Sequence, residues 1–372
     1  MVALRKSPSL WRKLVIAGAV AACASAMTPA LVLGVAAPAM AEELESIGWT
    51  IDEVRAMDPN RVQLTIEARW NSNSQSTWSN DRPIAELSGL SPGQLAGPSG
   101  PVRFALVREA GRLDCNGRAG NSGGSGACGF TPDAGFAAYL QGRGIGAPSR
   151  QQAFSLTMSG VGRELVDTLD RSGFERPNVD QLTAMGIHGV DADFVRALSG
   201  LGYRLSASDA IAFKIHGVEP DYVRQLAAIG PQLQRIQPGD LVSLKIHGVR
   251  PEFVREMAAI QPEMRNVTAD QLVSMAIHGV KPELAKSYVR LEGGRLDSDD
   301  LVSMSIHGVS STYIEQLAAL GYRNLSADDL VTMAIHGVTP DYVRSLQQAG
   351  MARLTADQLV RLRISGFEPG ER

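Results

Sequence analysis

Several things are scarce in this chain. It has three cysteines and six histidines in 372 residues. All six histidines fall in one tetrapeptide, IHGV, at Ile187–Val190, Ile215–Val218, Ile246–Val249, Ile277–Val280, Ile306–Val309 and Ile335–Val338. None precedes a glutamate, so H-E-x-x-H is absent, and no cysteine or carboxylate recurs beside them at ligand spacing. No Ser-His-Asp, Cys-His or phosphate-loop arrangement is present. No carboxylate pair stands apart from acids that cap helices. The expectation is a protein that is not an enzyme and carries no metal or cofactor.

Charge is missing from residues 14–41, which follow Arg5, Lys6, Arg12 and Lys13. That stretch ends in Ala39-Met40-Ala41, a small-x-small cleavage pattern, before Glu42-Glu43. It reads as an export signal cleaved after Ala41. Two alternatives stay open. The run is long enough to span a bilayer uncleaved, which would be the only membrane association. Val20-Ala21-Ala22-Cys23 also loosely matches a lipoprotein box, although lipidation at Cys23 would leave eighteen more mostly apolar residues on the mature chain.

An excess of positive charge is missing too. Cleavage removes four of the 36 basic residues and none of the 39 acidic ones, leaving 32 against 39, a net −7. Nucleic acid is therefore not an expected partner. An exported chain left with only Cys115 and Cys128 most simply forms one disulfide, the alternative being two free thiols. Closing a loop of that size contributes about 3 kcal/mol at most. About 330 mature residues imply two or three structural units.

Residues 44 to about 135 alternate with period two. Val62, Leu64, Ile66, Ala68 and Trp70 are separated by polar residues, and Val102, Phe104 and Leu106 repeat the pattern, as half-buried strands do. The glycine-rich GRAGNSGGSG reads as the loop of a hairpin pinned across its base by Cys115–Cys128. NSNSQST, between Trp70 and Trp78, reads as an exposed loop. Its two tryptophans either grip a ligand such as a sugar or serve the small core. A short helix is expected over 134–142, then a linker from Gly144 to Pro148.

Beyond residue 148 the period changes. The histidines are spaced by 28, 31, 31, 29 and 29 residues, and serine-bearing copies at Ser159 and Ser365 extend the series. This periodicity predicts a stacked array of eight first helices and seven second helices. In the unit Ser326–Gly350, Ser326 caps a helix whose apolar stripe is Leu330, Val331, Met333 and Ile335. Gly337 closes it in a left-handed Schellman turn, with Val338 packing back on Met333. Thr339 caps the second helix, Pro340 starts it, and Tyr342, Val343 and Leu346 face inward. Leu284 takes the aromatic's place in the unit after His278 and Tyr288 is shifted one turn, which predicts a longer or bent second helix there.

The pairs His188-Gly189, His216-Gly217, His247-Gly248, His278-Gly279, His307-Gly308 and His336-Gly337 are therefore read as structural caps. Each histidine would sit at a helix C-cap and bond to a neighbouring layer. A pH-sensing ladder is the second reading and metal the third. Arg196, Arg224, Arg255 and Arg344 share one repeat position, with Lys286 nearby. They make either a docking ridge or, given acids three residues earlier, self-paired surface rows.

The pattern L-S/T-x-D-x-L-V-x-M-x-I-H-G-V-x-P-x-Y/F-V-R resembles a helical repeat of exported bacterial proteins. It is similar also to segments appended to membrane metallopeptidase regulators of the β-lactam-sensor type. The likeness covers residues 149–367, and the stretch from Trp49 to Gly144 looks like the β domain that can precede such arrays. The peptidase does not carry over. The resemblance implies a Gram-negative envelope location, periplasmic or secreted, and binding or sensing.

The sequence thus predicts a mainly α protein: an export signal over 1–41, a small disulfide-pinned β-rich domain with linker over 42–148, and an α-solenoid of two-helix repeats over 149–372. The expected function is an interaction scaffold for a protein partner. The alternatives are an accessory or sensor subunit of an envelope peptidase or signalling system, and a cell-wall sugar-binding module using the β domain. A bonded histidine ladder would loosen the array below about pH 6. Thermal melts from pH 5 to 8 should then show a falling melting temperature at the acid end, and a flat profile would argue against the ladder.

Overall fold

The computed structural model describes residues 44–54, 58, 60–71, 74–121, 123–291 and 296–369. The expected export signal lies outside them. Residues 42–372 form one compact unit.

Seven antiparallel strands form one curled sheet, a half-barrel. They are β1 (Ser46–Val54), β2 (Arg61–Asn71), β3 (Ser74–Pro83), β4 (Leu87–Ser88), β5 (Gly100–Arg108), β6 (Gly111–Gly120) and β7 (Gly123–Pro132). Their order is β3-β2-β1-β7-β6-β5-β4. Alternation along β2 sends Val62, Leu64, Ile66, Ala68 and Trp70 inward, each at most 1 % exposed. Cys115 and Cys128 lie directly opposite on β6 and β7 and are disulfide-bonded.

Two expected loops are strands instead. GRAGNSGGSG continues the β6–β7 ladder out to Gly120 opposite Gly123, so the disulfide pins the middle of the hairpin. Two of its glycines, Gly117 and Gly126, lie close against Trp49 as well as against the facing strand. The Trp49 indole Nε1 donates to the Asn116 carbonyl at 3.0 Å. A Cβ on Gly117 would come within 2.8 Å of that ring, and one on Gly126 within 2.6 Å. Likewise Ser74–Thr77 of the expected NSNSQST loop belong to β3 and pair with β2.

After a one-turn helix α1 (Pro92–Ala96) come α2 (Ala134–Gly142) and α3 (Arg150–Ser159). The expected linker between α2 and α3 is built into the helical core. Gly144 closes α2 in the left-handed conformation (φ 71°), Ile145 N–H donates back to the Leu140 carbonyl, and Ile145 is buried. Phe136 and Leu140 lie in that same core, so α2 is a second-type helix preceding the first repeat. Helix α3 serves two cores. Ala153, Phe154 and Met158 plug the sheet, while Leu156 faces the array. The Phe154 ring meets those of Trp70 and Phe130 edge-on, at 5.4 and 5.3 Å.

The array is an α-solenoid. Its first helices are α3, α5 (Val179–Ile187), α7 (Ala207–His216), α9 (Pro238–Ile246), α11 (Ala269–Ile277), α13 (Ser298–Ile306), α15 (Ala327–Ile335) and α17 (Ala356–Ile364). Its second helices are α4 (Arg163–Ser172), α6 (Ala192–Gly200), α8 (Pro220–Ala227), α10 (Pro251–Ile260), α12 (Pro282–Val289), α14 (Ser311–Ala319) and α16 (Pro340–Gln348). First helices pack on first helices and second on second, giving two parallel rows. The 31-residue spacings coincide with proline-started 3-10 turns at Pro231–Leu233 and Pro262–Asn266. Helix α12 is eight residues long and so no longer than its neighbours, with Leu284 and Tyr288 both buried.

Each unit is closed at both ends. In α15, Ser326 Oγ accepts the Asp329 amide at 3.0 Å. The Val338 amide donates to the Met333 carbonyl at 2.9 Å and Gly337 to Ala334 at 3.1 Å, a Schellman closure. Thr339 Oγ1 then accepts the Tyr342 amide, starting α16.

Layers are tied by tyrosines. Tyr222 Oη donates to the Val249 carbonyl at 2.9 Å, Tyr313 to Val338 at 2.8 Å and Tyr342 to Phe367 at 2.9 Å. Each acceptor is the corner residue of the following repeat. Cations lie over two of these tyrosines and over Phe194 at the equivalent position: Lys214 on Phe194, Lys245 on Tyr222 and Arg363 on Tyr342, at 4.7, 4.6 and 4.9 Å. Burial raises the Tyr313 phenol to about 12 and raises Tyr222 as well.

An acid whose folded pKa is raised contributes stability that is full below its unfolded value, about 10, and lost as pH rises through the folded one. The array should therefore lose stability above about pH 10. The triple change Tyr222→Phe, Tyr313→Phe, Tyr342→Phe should cost about 1 kcal/mol per lost bond at neutral pH and flatten the alkaline fall. Urea melts at pH 7 and pH 11 measure both, and an unchanged alkaline slope would argue against the ladder.

Candidate interaction surface

The first helices bury a narrower stripe than their composition suggests. In α11, Leu272 and Met275 are fully buried, three positions apart on one face. Ile277 lies two residues past Met275, about 200° further round at 3.6 residues per turn. It is 57 % exposed. The same holds in every first helix from α5 onward. Ile187, Ile215, Ile246, Ile277, Ile306, Ile335 and Ile364 are all about half exposed or more. The expectation that Ile335 completes the buried stripe is thus corrected.

Because first helices stack on one another, the isoleucines form a row, one per layer. Scattered exposed apolar residues are ordinary on any surface. A row is different. Isoleucine is a weaker helix former than alanine, leucine or lysine because its branched Cβ restricts the rotamer, and here burial does not offset that. Seven repetitions of a residue that helps neither the helix nor the core point to a role outside the fold.

The histidines accompany this row. His188, His247, His278, His307 and His336 are C-caps, and His216 ends α7 with Gly217 as its cap. Gly189, Gly217, Gly248, Gly279, Gly308 and Gly337 are all left-handed, with φ between 65° and 75°. All six imidazoles are exposed. Among the described residues none of their ring nitrogens takes part in a hydrogen bond or ion pair, so the expected bonding between layers is not made by histidine. The cap's backbone does reach the next layer at one point, where the His278 carbonyl accepts from Ser305 Oγ at 2.6 Å. No three His, Cys, Asp or Glu side chains converge as a metal site requires, again among the described residues.

The arginine positions are paired. Arg196 bonds Asp193 at 2.5 Å and reaches back one layer to Glu164 at 3.1 Å. Arg224 bonds Asp221 at 2.7 Å, Arg255 bonds Glu252 at 2.6 Å, and Arg344 pairs with Asp341. Lys286 bonds Glu256 of the preceding layer at 2.5 Å. These are solvated i,i+3 pairs and cross-layer ties. Trp70 is buried and its Nε1 donates to Ser76 Oγ at 3.3 Å, so it belongs to the sheet's core and is closed to a ligand. Trp78 is half-buried on β3 opposite Ile66.

The tyrosine ladder and the isoleucine row were both missed in the sequence. The row had a readable signal, since Leu272, Met275 and Ile277 cannot share one face at helical spacing. No family model, curated protein or solved structure matches the chain.

Changing Ile246, Ile277 or Ile306 to serine should leave stability within about 0.5 kcal/mol. Met275→Ala, two positions from Ile277, should cost about 2–5 kcal/mol. Chemical denaturation of the variants separates the two faces. An isoleucine variant as destabilised as Met275→Ala would mean the row is part of the core.

Proposed function

We propose that the chain is an exported, non-enzymatic scaffold that holds a protein partner along the isoleucine row. The observation carrying this reading is the repetition of a half-exposed isoleucine at the same place in seven successive first helices. A solenoid suits the task, because each layer adds one contact at a regular step. The histidine beside six of the seven isoleucines, and Ser365 beside Ile364, add a polar donor or acceptor at the margin of an apolar stripe, an arrangement common to protein interfaces.

Export is supported by the Cys115–Cys128 disulfide, which needs an oxidising compartment to form and persist. Among the described residues no helix is long and apolar enough to cross a membrane. The periplasm of a Gram-negative bacterium, with cleavage after Ala41, is the location this reading adopts.

Affinity capture from cross-linked cell envelopes tests it. The mature chain, residues 42–372, is compared with the same chain carrying Ile246→Lys, Ile277→Lys and Ile306→Lys. A partner retained by the first and reduced at least tenfold with the second is the expected result. If that partner is an envelope peptidase or signalling protein, the chain is an accessory or sensor subunit. A partner held equally by both proteins would sink the proposal.

A further inference from the structure

A cleft of about 910 Å3 lies where β2, β3 and the turn after β3 meet the C-terminal ends of α3 and α5. Its charged lining is three guanidiniums, Arg61, Arg82 and Arg108, and two carboxylates, Asp81 and Glu86. In a chain whose mature net charge is −7, this is a local excess of positive charge.

The pairing inside the cleft is incomplete. Arg61 Nε donates to Asp81 Oδ2 at 2.8 Å. A single oxygen, Glu86 Oε2, accepts from both Arg108 Nη2 at 2.5 Å and Arg82 Nη1 at 3.4 Å. Arg82 is only 8 % exposed, and its other branch donates to the Met158 carbonyl in the last turn of α3, at 3.0 Å. Burial, then the neighbouring charge of Arg108, lowers the Arg82 pKa, with Glu86 offsetting this in part. Arg108 Nε is buried and has no hydrogen-bond acceptor. Two crowded guanidiniums thus share one carboxylate oxygen, and one buried N–H is unsatisfied. A second anion at the open ends of the guanidiniums would relieve the crowding around Glu86.

The helical wall is built from small residues. Ser159 stands where later repeats carry histidine, and Gly186 stands where the next two carry Lys214 and Lys245. A Cβ on Gly186 would fall 2.4 Å from Val161 Cγ2 and 2.6 Å from Ser159 Oγ. The opposite wall includes Trp78, a half-buried residue that also packs against the sheet's core. The volume is within the range of small-molecule sites. Guanidiniums, carboxylate acceptors and an aromatic wall in one cleft match a ligand with a carboxylate, hydroxyls and an apolar ring face.

We infer that this cleft binds a sugar acid, through Arg108 and Arg61 on its carboxylate, Asp81 and Glu86 on its hydroxyls, and Trp78 against its ring. The cleft meets the isoleucine row only at its first member, Ile187, away from the Ile246, Ile277 and Ile306 positions that test the scaffold reading. It differs from the expected Trp70–Trp78 loop, since Trp70 faces the core and arginines take its place.

Ligand-observed NMR with the mature protein tests the inference, using N-acetylmuramic acid, glucuronic acid, glucose and inorganic phosphate as probes. Arg108→Gln and Trp78→Ala are the variants, with Arg82 kept because it holds α3. Saturation transfer to at least one sugar acid is expected, with glucose at least tenfold weaker. Each variant should weaken the acid at least tenfold while keeping the far-UV spectrum and cooperative melt. A preference for N-acetylmuramic acid would support a cell-wall source, and one for glucuronic acid a uronic-acid polysaccharide; either upholds the site. Binding of glucose as strong as that of the acids, binding unchanged in both folded variants, binding of phosphate alone, or no binding overturns it. Should Arg108→Gln fail to fold, Arg61→Gln, at a more exposed position, takes its place.

Discussion

A helix of eight to ten residues does not persist in water by itself, because nucleation costs more than so few hydrogen bonds return. Every helix of this array is that short, and the rest of the structure is organised around the problem. Caps satisfy the free amides at one end. The left-handed glycine and the valine behind it satisfy carbonyls at the other and turn the chain without a loop. What caps cannot provide is burial. That comes only from the layer on either side, so stability here belongs to pairs of repeats more than to any one.

This dependence explains the ends of the array better than its middle. A first repeat would leave one face bare. The chain covers that face with α2, a helix of the second type, and with the sheet, which takes the far side of α3. Phe154 is buried against Trp70 and Phe130, and Arg82 closes the end of the same helix. The half-barrel is therefore joined to the solenoid by a shared helix, without a spacer between them.

Most of the array was legible in the sequence, since capping residues, glycine corners and prolines at helix starts act locally. Ser326, Gly337 and Pro340 announce their roles without knowledge of any neighbour. What was not legible depends on distant partners. Composition reads GRAGNSGGSG as a flexible loop; the close approach of Trp49, some seventy residues away, and of the facing strand shows why Gly117 and Gly126 lack side chains. Gly144-Ile145 looks like a linker until Ile145 is seen in the core. The histidines drew attention because they are rare, yet a recurring bond between layers comes from tyrosines, whose backbone-carbonyl acceptors leave no mark in the sequence. The isoleucine row lies between these cases. Its angle on the helix could be read, but apolarity argued for the core and outweighed geometry.

The tyrosine bonds all run in one direction, from the second helix of one repeat to the corner of the next. A chain emerging from the ribosome meets that direction as an order of events. The sheet and α3 come first, and each later repeat finds a finished layer to settle on. The hydroxyl left waiting on that layer is then taken up by the corner just made. The array would be assembled as it is synthesised, each addition locking the one before it.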